Sequence, residues 1–336
     1  LATARKYATA FEGDKSLIIT EVLLSQLKKE NRYDSPFGFQ VRLTHAMALV
    51  RSSADINTFN FLWELRDDSK AQKNWEVYAH ACRGIAYITE LSGQSDTAFE
   101  HLWKAMAVVK KHQLDSAYAP VAIRCSSVHR WYGNQDSARY YALQALEYAP
   151  AHDQVLEEAN AWFLLGTYEE NLEKKLILSK KSIPLYKKVG EQNMLMFMQN
   201  NIARTYLKLR NPAQAILHAD SAYQIQKSIP NTPWKDGHRS FFNKANAYEQ
   251  LGQLDSTIYY LKRARTLEQR SIEDAQKEML AEVDRKYNIE KKTEELELLK
   301  GSAQKERHQN ILLSGLVILL FLLAGILLFY MFKLRR

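Results

Sequence analysis

Residues 241–267 read FFNKANAYEQLGQLDSTIYYLKRARTL, and this stretch decides the fold. Small and apolar residues follow each other at helical spacing on both sides of Gly252. They are Ala245, Tyr248 and Leu251 before the glycine, and Ile258, Leu261 and Ala264 after it. We predict two helices joined by a turn at Gly252, with these two faces packed together and the alanines allowing a close approach.

The same stretch resembles one tetratricopeptide repeat (TPR), which places a small residue, an aromatic, a turn glycine and two further small residues in a fixed order. Here these positions are Ala245, Tyr248, Gly252, Thr257 and Ala264. TPR proteins stack such helix pairs into an α-solenoid, because one pair cannot bury both of its faces alone. The resemblance therefore implies a concave groove lined mainly by the first helix of each pair.

The pattern recurs along the chain, and the resemblance covers residues 40–270. The small first-helix positions are Gly84, Ser126, Gly166, Ala203 and Ala245, and pairs of alanines seven apart follow several of them, as at Ala98 and Ala105. The repeats are about 40 residues long, whereas roughly 34 is usual for TPRs. Longer helices with variable loops would account for the difference.

The composition favours helices throughout, since the chain of 336 residues has only 12 glycines and 7 prolines. We predict an all-α protein: a TPR-like α-solenoid of about six to seven helical hairpins, then a long helix and one transmembrane helix. The expected parts are degenerate N-terminal hairpins at 1–75, TPR-like repeats at 76–268, a charged helical stalk at 269–308, the transmembrane helix at 309–332 and a basic stub at 333–336.

The stalk is rich in Glu, Lys, Arg and Gln and has no turn signal before Gly301. Met279, Val283 and Tyr287 fall four apart, which predicts one long helix continuing the last repeat. Two interpretations stay open. The stalk is either a lone charged helix or a coiled coil that joins two copies of the chain as a homodimer.

Residues 311–332 contain no charged side chain. As a helix they would extend roughly 33 Å, enough to cross a hydrocarbon core of about 30 Å. Lys333, Arg335 and Arg336 follow directly, which favours a cytoplasmic C-terminus. We predict a single-pass inner-membrane protein with the TPR region in the periplasm.

Other classes of function find little support in the sequence. The net charge of +8 is spread among acids along the helices, so no nucleic-acid contact is expected. No phosphate loop, dinucleotide fingerprint, zinc-protease motif or nucleophile elbow occurs, so we expect no enzyme activity, no cofactor and no metal. Cys82 and Cys125 are too few for a disulfide framework or zinc cluster. We interpret them as packed thiols, with a disulfide between them as the alternative.

Recognition of a peptide or protein ligand is the function that remains. By analogy with TPR arrays, polar and aromatic residues on first helices would face the groove, where amides can hold a peptide backbone and arginines a carboxylate. These candidates are Arg124, Arg130, Trp131, Phe163, Asn200, Asn201, Arg204, Arg239, Asn243 and Asn246. A lysine series on one second helix is interpreted as a solvated face, with an acidic partner or lipid headgroup as the alternative: Lys174, Lys175, Lys180, Lys181, Lys187 and Lys188.

Residues 281–299, AEVDRKYNIEKKTEELELL, stand just before the apolar segment. The order of TPR array, charged helix and membrane helix resembles TPR membrane regulators of Bacteroidetes-type bacteria. In that family an extracytoplasmic TPR array precedes a cytoplasmic histidine kinase or a helix-turn-helix output. Neither output occurs in this sequence, so the resemblance implies the ligand-sensing input part of a regulator. The alternative is a membrane-tethered scaffold or adaptor without signalling output.

Overall fold

The computed structural model describes residues 1–9, 13–52, 55–229, 237–273, 276–277 and 280. The chain divides into two compact units, Leu1–Glu268 and Gln269–Arg336. The first unit contains nearly all of the described residues. Of the second unit, residues 269–273 are helical.

All regular secondary structure among the described residues is helical. The helices are α1 (Ala2–Thr9), α2 (Gly13–Lys29), α3 (Pro36–Ser52), α4 (Ile56–Ala71), α5 (Trp75–Leu91), α6 (Ser95–His112), α7 (Asp115–Trp131), α8 (Gln135–Ala151), α9 (Val155–Tyr168), α10 (Leu172–Val189), α11 (Gln192–Lys208), α12 (Pro212–Ser228), α13 (Gly237–Gln250) and, within the first unit, α14 (residues 254–268). Successive helices pair as hairpins from α1–α2 to α11–α12, and α13 packs against α14 through Phe241, Ala264 and Leu267. This confirms the predicted all-α, TPR-like solenoid for the described part of the chain.

The turns between helices follow one rule. After most helices a single residue takes the left-handed backbone conformation, and the next residue begins or caps the following helix. Asparagines at four of these helix starts accept a backbone N–H with the side chain: Asn74, Asn134, Asn171 and Asn211. The left-handed residues Lys73, Gly93, Gln113, Gly133 and Asp153 follow each other at equal steps. The long repeat thus comes from long helices, and the loops in this part are constant rather than variable.

Small residues set the distance between the helices, as predicted. Ser126, Ala203 and Ala245 are completely buried inside first helices, and Gly84 and Gly166 are buried too. At Gly166 an added Cβ would lie 2.7 Å from Ser179 Oγ, so α9 and α10 could not keep this approach with any larger residue. The second-helix alanines are equally buried: Ala98, Ala105, Ala138, Ala145, Ala215 and Ala222.

One detail of the opening stretch is wrong. Leu251, Ile258 and Leu261 are 47%, 51% and 39% exposed, so they do not form the contact between α13 and α14. That contact uses Ala264 and the ring of Tyr260, which stacks on Tyr248 at 5.3 Å between ring centroids. The aromatic ring brings a larger apolar surface into the contact than a leucine would.

The two cysteines are buried free thiols, which confirms the first interpretation and excludes the disulfide. Burial raises the pKa of Cys82 to about 11 and that of Cys125 to about 12. Because the thiolate is the reactive form, both residues act as small apolar packing groups.

No helix among the described residues has both the length and the apolar character needed to cross a membrane. The predicted transmembrane segment, 309–332, lies outside the described residues, as does the part of the stalk from 281 to 308. The membrane anchor, the coiled coil and the five-part division of the chain therefore stay predictions.

Candidate functional site

Three adjoining cavities lie along α9, α11 and α13, and Arg204 of α11 lines all three. The α9–α11 cavity, of about 130 Å³, also involves α10 and the end of α7. The α11–α13 cavity, of about 410 Å³, has its walls on α11, α13 and α14. The outer cavity, of about 710 Å³, lies between the ends of α11 and α13. We call the three together the groove.

The α9–α11 cavity exists because two first helices stand apart. Several Cα atoms of α3 and α5, α5 and α7, α7 and α9, and α11 and α13 approach within 8 Å of each other. Among the described first helices, α9 and α11 are the exception, and they meet through side chains such as Phe163 and Phe197, whose rings lie 5.8 Å apart. The gap leaves room for a ligand group between the two helices.

Positive charges surround this cavity. Arg130, Lys175, Arg204 and Lys208 line it, and no acidic side chain is among the described residues of its wall. Lys175 Nζ donates to the backbone carbonyls of Glu169, at 3.0 Å, and Thr167, at 3.4 Å. Burial lowers the pKa of Lys175, and the charges of the other three cations lower it further. The cavity is an electropositive site built from four separate helices.

Two of the three hydroxyl groups in the same wall donate to backbone carbonyls. Thr167 Oγ1 donates to the carbonyl of Phe163 and Thr205 Oγ1 to that of Asn201, each at 2.9 Å. The side chain of Asn201 accepts from Arg204 Nη2 at 3.2 Å, which holds this guanidinium at the junction of the cavities. The cations, the Asn201 amide and the Ser179 hydroxyl are therefore the polar groups that can meet a ligand here.

The floor of the α11–α13 cavity is a network of buried amides. Asn243 Nδ2 donates to the backbone carbonyl of Asn200, at 3.1 Å, and Ser240 Oγ donates to Asn200 Oδ1, also at 3.1 Å. The amide nitrogen of Asn200 is buried and has no hydrogen-bond partner among the described residues. Arg239 lies over the ring of Phe197 at 5.8 Å. This cavity offers an unused donor at its floor and a cation at its edge.

Most of the residues predicted for the groove come together in it. Eight of the ten line the three cavities: Arg130, Phe163, Asn200, Asn201, Arg204, Arg239, Asn243 and Asn246. Asn200 and Asn243 form the buried network, so most of their polar groups bind protein. Lys175, Lys208 and His238 line the cavities but were not among the ten candidates.

Two predicted residues lie elsewhere. Arg124 donates to Glu90 Oε2 at 3.1 Å and lies over the ring of Tyr87, so it links α7 to α5. Trp131 ends α7 and is 72% exposed, outside the three cavities. The lysines of α10 were predicted to form a solvated face. Lys175 differs from the other lysines of this series, because it lines the α9–α11 cavity.

Nearer the N-terminus, charged side chains of the array bind each other on the inner face, which is the face lined by the first helices. Arg51 of α3 donates to Glu191 Oε1, at the start of α11, over 3.0 Å, and Glu191 is almost completely buried. Burial raises the pKa values of Glu191 and Glu157 and lowers that of Arg83 to about 10. The groove along α9, α11 and α13 is open, whereas the Arg51–Glu191 ion pair occupies this earlier part of the inner face.

No group of three or more His, Cys, Asp or Glu side chains in the described part of the chain could hold a metal ion. No protein-family model matches the sequence, and no curated protein matches it either.

Solved structures of the same fold exist. BtubC from P. vanneervenii is 13% identical over 68% of this chain and 90% of its own, with a TM-score of 0.54. A signal transduction ATPase from Pyrococcus horikoshii with a tetratricopeptide repeat sensor is 17% identical over 76% of this chain and 41% of its own, with a TM-score of 0.54. NprR in complex with its cognate peptide NprX is 16% identical over 76% of this chain and 73% of its own, with a TM-score of 0.52. The fold of the described chain is TPR-like.

Proposed function

We propose that this chain binds a peptide, or an extended segment of a protein, in the groove along α9, α11 and α13. The observation that carries this proposal is the line of three adjoining cavities that share Arg204 and combine amides, cations and aromatic walls. NprR, which has the same fold, was solved with a peptide. An extended peptide suits such a groove, since its backbone offers donors and acceptors along its whole length.

Each kind of side chain has a distinct task in this proposal. Asn201 and Asn246 are partly exposed, and their amides can both donate to and accept from a peptide backbone. Arg204 and Arg239 supply positive charge for acidic groups of the ligand. Phe242, on the wall of the α11–α13 cavity, is half exposed and offers a surface for an apolar side chain.

Peptide selection from a random display library on the full chain, in neutral detergent, tests the proposal. We expect the selected peptides to bind Arg204→Glu about tenfold to a hundredfold more weakly, because the variant replaces a charge-assisted hydrogen bond by repulsion. The matched control is Arg265→Glu, since Arg265 is exposed on α14 and lines none of the three cavities. Fluorescence anisotropy with labelled peptides gives the affinities. Equal binding to both variants, or no selected peptide at all, would remove the groove as the binding site.

We further propose that the chain is the ligand-sensing input of a membrane-bound bacterial regulator. The support is the order of a peptide-sized groove, a charged helical segment and the apolar residues 311–332 in one chain. In this proposal the TPR region lies in the periplasm, and ligand binding is passed through the stalk, which pairs in a homodimer. The second candidate is a membrane-tethered scaffold that gathers partners and transmits nothing.

A one-residue insertion at position 285 separates the two candidates. In a helix it rotates everything beyond it by about 100°. A sensor that works through the stalk is expected to lose its ligand response, measured with a reporter fused after Arg336, while peptide binding by the groove stays unchanged. A four-residue insertion at the same place, which nearly restores the helical phase, is the control. A full response in the one-residue variant favours the scaffold.

A further inference from the structure

The α9–α11 cavity gathers four cations without a carboxylate to neutralise them. Arg130, Lys175, Arg204 and Lys208 come from α7, α10 and α11, and none of them forms an ion pair with an acidic side chain of the described residues. Arg130, Arg204 and Lys208 are exposed, but their charges act on the half-buried Lys175 and lower its pKa, with Glu169 opposing them in part. A fold retains such an arrangement at some cost in stability, so the arrangement itself points to an anion as the missing partner.

Lys175 shows that the cluster differs from an ordinary solvated surface. Other lysines of α10, such as Lys187 and Lys188, are exposed, whereas Lys175 is half buried. Its ammonium group is fixed by two backbone carbonyls on the rim of the cavity. These bonds leave at least one of the three N–H donors of Lys175 for a ligand.

We propose that the ligand is an acidic peptide whose aspartate or glutamate side chains enter the α9–α11 cavity. This inference rests on the proposed function and specifies the chemistry of its ligand. A volume of about 130 Å³ suits one or two carboxylate side chains. The four cations can each donate to a carboxylate oxygen, and charge-assisted bonds of this kind are roughly twice as strong as neutral ones.

The two larger cavities carry a smaller positive excess, which comes from the cations they share with the first. Arg239 and Arg210 are matched there by Glu268 and Glu249, and Arg204 and Lys208 supply the remaining positive charge. Acidic residues on both sides of the anchoring carboxylates are therefore favoured, and they would speed association at low salt.

The test uses the full chain in neutral detergent and two synthetic decapeptides with blocked ends. One peptide carries four central glutamates in an alanine and serine background, and the other carries four glutamines at the same places. We expect the glutamate peptide to bind at least about tenfold more tightly than the glutamine peptide at low salt. Isothermal titration calorimetry measures both, and the difference should shrink at about 0.5 M salt.

A pair of matched variants assigns the effect to the cavity. Lys175→Gln with Lys208→Gln should weaken binding of the glutamate peptide about tenfold or more. Lys187→Gln with Lys188→Gln removes the same charge from the exposed part of α10 and should leave binding within about twofold. Thermal unfolding of both variants shows that they are folded.

Several outcomes would overturn the inference. Equal binding of the two peptides means that the groove binds peptides without regard to charge, in which case the proposed function stands and the inference fails. An equal loss in both lysine variants indicates a diffuse charge effect, and no binding of either peptide also rejects the acidic ligand. Binding of the glutamine peptide with an unblocked C-terminus, when neither blocked peptide binds, assigns the cavity to a terminal carboxylate. Binding of phosphatidylserine in mixed micelles, lost only in the cavity variant while both peptides fail, assigns it to a lipid headgroup.

Discussion

Arg42→Ala is expected to lower the free energy of unfolding by about 3 kcal/mol, and it should be the most damaging single charge removal in the N-terminal hairpins. The side chain of Arg42 is completely buried. Among the described residues it is the largest side chain that is completely buried. Its Nη1 donates to Asp34 at 2.8 Å, and its Nη2 donates to Asp68 and lies 3.5 Å from Glu64. One guanidinium therefore joins the loop before α3 to helix α4.

The cost of the substitution has two parts. Removing a buried arginine leaves three carboxylates facing each other without a cation, and these repel. It also removes the packing of the guanidinium against the ring of Tyr33, at 4.4 Å. The carboxylates are about half exposed, so water recovers part of the loss, and we place the effect at the lower end of the range for broken buried pairs.

Urea unfolding monitored by circular dichroism gives the measurement. Lys104→Ala is the control, because Lys104 and Glu100 form an exposed pair one helical turn apart on α6, and such pairs contribute about 0.5 kcal/mol or less. Similar losses in the two variants would show that the buried guanidinium does not hold the first hairpins together.

His101 is expected to make the protein sensitive to acid between pH 6.5 and about 4. The imidazole is 2% exposed, packs edge-on against Trp63 at 5.2 Å, and its Nδ1 has no hydrogen-bond partner among the described residues. Burial, with the positive charges of Arg66 and Lys104, lowers the pKa of His101 to about 4, and Glu100 and Asp67 oppose this in part. The folded protein therefore keeps the ring neutral far below the usual pKa of a histidine.

The direction of the pH effect follows from proton binding. Between pH 4 and 6.5 the unfolded chain binds the proton and the folded chain does not, so stability falls as the pH falls through this window. The loss reaches roughly 3 kcal/mol at pH 4, at about 1.4 kcal/mol per pH unit. His101→Phe should reduce the slope of this part of the stability curve by up to about 1.4 kcal/mol per pH unit, measured by urea unfolding at a series of pH values. His80, whose pKa burial lowers to about 3, keeps its own contribution to the slope in both proteins. His152→Gln, at an exposed position, serves as the control and should keep the full slope. A slope unchanged in His101→Phe would contradict the assignment.

The repeat could be predicted from sequence because small residues at close helix contacts are recognisable. Ala245, Ser126 and Gly166 mark such contacts, and nothing larger fits there. The length of the repeat was harder to explain, because the left-handed residue that ends each helix is a glycine at Gly133 but a lysine at Lys73. A residue other than glycine can take the left-handed conformation at a cost in free energy, but the sequence does not show that it does so. The turns were therefore predicted to vary in length, although the structure shows that they are constant.

The site was predicted in part for a related reason. Arg204 and Asn201 stand on a first helix, where the TPR architecture places the groove. Lys175 stands on a second helix among other lysines, and it lines the cavity only because α9 and α11 separate at this place. Spacing along one helix cannot show a gap between two others. Arg124 was misplaced because its partner, Glu90, lies on a different hairpin.

The ion pair between Arg51 and Glu191 has a mechanical consequence. In a solenoid each hairpin contacts its neighbours only, so the array can lengthen like a spring under load. This pair joins α3 to the start of α11 and spans every hairpin between them. Stretching that segment must first separate two charges in a place shielded from water, where their attraction is strong. The four hairpins from α3 to α10 are therefore stiff under tension, and the elastic compliance of the array lies outside the span of this pair, in α1–α2 and in α11–α14.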